Sequence, residues 1–97
     1  MSNPDMEIIR GSGNVYADFN DPDAQTKQMK AYLAANIIAT LDDLQLTVRD
    51  AAKRTGITAA DISRIRNADL GRFTLDRLVR VLGHLGQKVE MQVHEAA

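Results

Sequence analysis

Residues 48–67 read VRDAAKRTGITAADISRIRN, and the fold turns on how those positions divide. Thr47, just before the stretch, is a helix-capping residue, and Asp50 three places on can reach back to complete the cap. The pair predicts a short helix through Arg54. Gly56 breaks it, because only glycine enters a left-handed turn without steric cost. Thr58 and Asp61 repeat the capping arrangement and predict a second helix to about Asn67. On that reading Ala52 falls where the two helices approach closely, Ile62 and Ile65 face inward, and Asp61 faces away from the core to complete its cap.

A small residue, a glycine turn and two apolar residues at this spacing meet the steric requirements of a helix-turn-helix. Outward on the amino side, Asp21-Pro22-Asp23 is helix-start chemistry. From about Ala24 to Leu44, Met29, Leu33, Ile37, Leu41 and Leu44 recur at helical spacing, with Tyr32 and Ile38 widening the stripe. On the carboxyl side, Ala68 to Arg72 reads as a loop. Thr74 caps a further helix carrying Leu75, Leu78, Val79, Leu82 and Leu85, closed by Gly86.

Gln87 to His94 alternates, with Val89, Met91 and Val93 on one side and Lys88, Glu90, Gln92 and His94 on the other. That pattern predicts a strand, and a lone strand needs a partner. The candidates are the region of Val15, where Asn14 to Phe19 alternates weakly, or the same strand of a second chain. Residues 1–23, with Pro4, Gly11 and Gly13, read as a flexible arm. The predicted division is an arm at 1–23, a helix-turn-helix domain at 24–86 and a strand and tail at 87–97. The fold class is all-α, with four to five helices and a C-terminal β-strand.

A chain of 97 residues, 44% apolar and 26% charged, suits one small globular domain and excludes collagen-like or wholly disordered chains. It has no cysteine, so disulfides, thiolate zinc sites and cysteine nucleophiles are excluded. No apolar run approaches membrane-span length, and the first residues are polar and acidic, unlike a signal peptide; the expected location is the cytoplasm. The net charge of −1 conceals segregation. Residues 1–46 carry a net −4, residues 47–82 a net +4 and residues 83–97 a net −1. Seven of the eight central bases are arginine, whose planar fork suits phosphate oxygens and guanine edges. Solvated helix faces would give the same segregation, so charge alone leaves both readings open.

Other polar groups have plain readings. His84 and His94 are far apart and lack metal-ligand spacing, so no metal is expected. None of Ser2, Ser12 and Ser63 sits in a nucleophile elbow. Gly11-Ser12-Gly13 lacks the strand and helix that a phosphate loop requires. Asp42 and Asp43 diverge on a helix and read as solvated charge near its end, while Phe73 and Tyr32 read as core. No active site assembles; neither enzymatic activity nor a cofactor is expected.

The stretch LTVRDAAKRTGITAADISRIRNADLGRFTLDRLVRVLGHLG resembles the XRE (Cro/repressor-type, lambda-repressor-like) helix-turn-helix family. The flanking GSGNVYADFNDPDA and KVEMQV are similar to the HigA-like antitoxins of bacterial type II toxin–antitoxin pairs. Together the resemblance covers about residues 8–94. It implies that the helix after Gly56 lies in the major groove with its amino end at base edges. Thr58, Ala59, Ala60, Ser63 and Arg64 would then meet the DNA, with Arg64 reading a guanine and Thr58 both capping its helix and bonding a phosphate. Asn67 and Arg72 would hold the backbone after the helix, and Arg49 and Lys53 would reach phosphates from the preceding one. Many relatives carry glutamine at positions that here hold Val48, Ala59 and Ala60, so base reading would be shallow, with DNA shape carrying more of it.

The resemblance further implies a homodimer on a near-palindromic operator and a second partner, a small basic RelE/HigB-like toxin that the antitoxin neutralises while repressing its own operon. The acidic amino-terminal half is a sensible face for such a toxin. Two rivals stand: a stand-alone XRE-type transcriptional repressor without a toxin, and a protein-interaction module that has lost DNA binding.

Overall fold

A computed structural model of the chain describes residues 22–95. The expected extended segment at Asn14–Phe19, and most of the arm, lie outside the described residues. Four helices follow in order: α1 at Pro22–Asp43, α2 at Val48–Thr55, α3 at Ala59–Arg66 and α4 at Leu75–His84. α1 begins two residues earlier than the apolar pattern suggests, with Pro22 at its first position, where a missing N–H costs nothing.

The three later helices start alike. Thr47, Thr58 and Thr74 take extended backbone angles, and each hydroxyl accepts the amide of the residue three places on, at 3.0–3.1 Å. All four helices stop at a left-handed residue, at Gln45, Gly56, Ala68 and Gly86. After α1, the Leu46 amide donates to the Leu41 carbonyl and the Gln45 amide to that of Asp42. The pairs Asp69 to Arg64 and Ala68 to Ile65 repeat this after α3, and Gln87 to Leu82 and Gly86 to Gly83 after α4. Each is a Schellman closure, but two of the three turn on a residue with a β-carbon.

α1 packs most extensively on α4, and α2 on α3, with further contacts from α1 to α3 and from α2 to α4. The core holds Leu33, Ala34, Ile37 and Leu41 from α1, Ile62 and Ile65 from α3, and Leu78, Val81, Leu82 and Leu85 from the last helix and its end, around Phe73. The expected α1 stripe is present except at Leu44, which lies beyond the helix and is exposed. Asn36 and Thr40, the polar interruptions of that stripe, donate to the Tyr32 and Asn36 carbonyls of their own helix, at 2.9 and 2.8 Å. On α2 Ala51 is the most deeply buried apolar residue, and Ala52 also packs against the core. Val48, Ala51, Ala52 and Thr55 share one helical face; Ala51 is fully buried at its centre, and Ala52 is half-buried beside it.

The expected C-terminal strand is not formed among the described residues; 87–95 carry no ladder. Lys88 and Glu90, two residues apart, form an exposed ion pair at 3.8 Å. Val89 packs against the core, while Met91 and Val93 are 67% and 87% exposed. Among the described residues no strand lies beside this stretch. Between this segment, α1 and α4 runs an apolar groove lined by Met29, Tyr32, Leu33, Leu75, Val79 and Leu82.

Candidate nucleic-acid interface

α2 ends at Gly56, whose φ of 79° and open surroundings show that the turn needs the glycine backbone rather than its small size. The turn sets α3 against α2 with Ile62 and Ile65 wholly buried. The opposite side of α3 is left to solvent. Thr58, Ala59, Ala60 and Asn67 are exposed, and Ser63 and Arg64 are half-buried at the edge of that face. Asn67 is also the helix's carboxyl cap, its amide donating to the Ser63 carbonyl at 3.0 Å. Arg49 and Lys53 on α2, and Arg72 in the loop before α4, are exposed.

Asp61 departs from the expected arrangement. Its amide completes the Thr58 cap, but its carboxylate does not face away from the core; the residue is buried. Arg64 Nη1 donates to Oδ1 at 2.7 Å, and Arg77 Nη2, from the first turn of α4, donates to Oδ2 at 3.2 Å. Burial pushes this carboxyl's pKa up, but the bonds from Arg64 and Arg77 and the charges of Arg72 and Arg77 outweigh it, so the net shift is downward from the ordinary 3.8. The Arg77 guanidinium also lies over the Phe73 ring, 4.9 Å from its centre.

The structure thus brings Arg64 and Arg72 near one carboxylate and adds Arg77, which sequence reasoning did not single out. The Asp61–Arg77 contact joins two helices, so no local spacing announces it. Arg66 belongs elsewhere: its Nη2 reaches Asp42 Oδ1 at the end of α1, 2.8 Å away, so Asp42 is paired rather than simply solvated. Among the described residues every buried side-chain nitrogen and oxygen has a partner, no trio of His, Cys, Asp or Glu could hold a metal, and no helix is long and apolar enough to cross a membrane.

A family model described as a helix-turn-helix domain matches residues 15–94. The chain belongs to that helix-turn-helix family. The match spans all four helices, continues through the terminal segment, and begins seven residues before α1. Neither a curated protein nor a solved structure matches the chain. Membership agrees with an XRE-type arrangement and does not reach the finer HigA-like subgroup.

Proposed function

We propose that this helix-turn-helix protein binds operator DNA sequence-specifically as a homodimer, with α3 in the major groove and α2 across the backbone. The observation that carries the reading is the state of Asp61. A free carboxylate at the head of a recognition helix would repel phosphate. Here it is covered by Arg64 and Arg77 with Arg72 nearby, so the amino end of α3 presents a net positive charge. Thr58, Ala59, Ala60, Ser63 and Arg64 meet base edges or the adjoining phosphates, and Arg49, Lys53, Asn67 and Arg72 grip the backbone. Two such helices in a dimer read half-sites about 34 Å apart, one turn of the duplex.

The finer role is that of a cytoplasmic type II antitoxin which neutralises a small basic RelE/HigB-like toxin and represses their shared operon. Its support is the resemblance of the segments flanking the helices and the acidic charge of residues 1–46. The test is a pull-down of the tagged full chain from its native cells at moderate salt, followed by duplex binding across a salt series. One small basic protein in near-equal amount, and DNA affinity falling steeply with salt, are expected. Recovery of DNA with no protein partner would reduce the role to that of a stand-alone repressor. Duplex affinity indifferent to salt and to Arg64→Ala would leave an interaction module.

A further inference from the structure

We propose that Arg77 on α4 is a DNA-contacting residue and that Asp61 is the positioning residue which presents Arg64 and Arg77 to the duplex as a rigid pair. This rests on the DNA-binding reading given above. The two guanidinium groups come from different helices and share one carboxylate, one on each oxygen. The Asp61 side chain is only 11% exposed, whereas those of Arg64 and Arg77 are 35% and 39% exposed. The carboxylate is therefore the inner member of the cluster and the guanidiniums form its outer edge.

Each arginine spends one amino group on Asp61. A guanidinium has five N–H donors in a fixed fork, so an outward edge remains on each. On Arg64, with Nη1 on the carboxylate, the free edge comprises Nη2 and Nε, a pair that matches O6 and N7 of guanine. Arg77 is held from a second side by the Phe73 ring beneath it, and Phe73 is itself wholly enclosed in the core. An arginine in water loses side-chain freedom when it docks; one already braced by a carboxylate and a ring has lost it on folding. The cluster also gives the shallow face of α3, with methyl groups at Ala59 and Ala60, a second fixed cation beside Arg64.

The experiment compares wild type, Asp61→Asn and Arg77→Gln on two probes, a pool of duplexes with a randomised core and the single duplex that wild type selects from it, across a salt series. Circular dichroism checks folding. For Asp61→Asn the ratio of selected-duplex to pool affinity falls roughly ten-fold, while pool affinity holds or rises because a negative charge has left the face. For Arg77→Gln the salt slope of log affinity becomes shallower by about one. A loss of folded protein lowers both affinities together and leaves ratio and slope untouched, so neither readout depends on full stability. An unchanged ratio in the first variant, or an unchanged slope in the second, overturns the assignment while DNA binding stands. A wild-type protein that selects no duplex and shows no salt dependence overturns the DNA reading itself, and the assignment with it.

Discussion

The head of α3 and the terminal segment solve opposite problems. At the head of α3, a buried carboxylate, two arginines and an aromatic ring from two helices and the loop between them satisfy one another within the chain. Along residues 87–95, Val89 is seated on the core but Met91 and Val93 stand in solvent beside the apolar groove of α1 and α4. The first region is completed by non-local pairing among the described residues. The second has a sequence that alternates like a strand, with no strand beside it among the described residues. Charged groups at the first are fixed in direction before any ligand arrives, whereas the second leaves the apolar side chains of Met91 and Val93 exposed.

The sharpest way to break that contrast is Phe73→Ala. Phe73 is 1% exposed and also floors Arg77, so truncation should cost about 3–5 kcal/mol in denaturant unfolding. A loss below about 1 kcal/mol would mean that the ring and the cluster above it are not firmly packed. Next in size is Asp61. Its carboxyl sits below the ordinary value in the folded state, so its stabilisation is complete above about pH 4 and is lost as the pH falls through the folded value. Asp61→Asn should cost about 1–3 kcal/mol at neutral pH and flatten the acid limb of the stability curve. Equal acid sensitivity in both proteins would count against the cluster.

Smaller changes probe the turns. Ala68 closes α3 at a φ of 59°, a conformation that disfavours a β-carbon, and Gly56 takes the same role after α2 without that cost. Ala68→Gly should therefore stabilise by about 0.5–1 kcal/mol, readable as a raised melting temperature. The smallest effect is expected at the open end. Met91→Ser should change the stability of an isolated chain by less than about 0.5 kcal/mol. A loss of several times that, growing with protein concentration, would show the segment buried between copies.

The local features of this chain were legible from sequence because their causes are local. Thr47, Thr58 and Thr74 cap helices through bonds three residues long, and Gly56 and Gly86 mark their turns. Gln45 and Ala68 close helices with the same hydrogen bonds but without glycine, so the αL positions there carry no compositional flag. Ala51 and Ala52 lie on the same face, and Ala51 is the more deeply buried of the two. Asp61 was misread for a non-local reason. A carboxylate three residues after a capping threonine has a ready local role, and Arg77, sixteen residues on, outcompetes it only once α4 has docked. The candidate DNA-contacting residues named from sequence are exposed or half-buried; Arg77 is the addition that needed three dimensions.

The packing of α1 against α4 has a consequence for the protein during its synthesis. The helix-turn-helix pair lies between those two helices in sequence; α1 and α2 pack on α3, whereas α4 touches α2 and reaches α3 through the Arg77–Asp61 pair. Growing from the ribosome, the chain has Leu78, Val81 and Leu82 still missing from the core, and only Arg64 to pair with Asp61. A nascent chain halted before α4 thus lacks Arg77, and the complete surface proposed to read DNA would first exist on the finished domain.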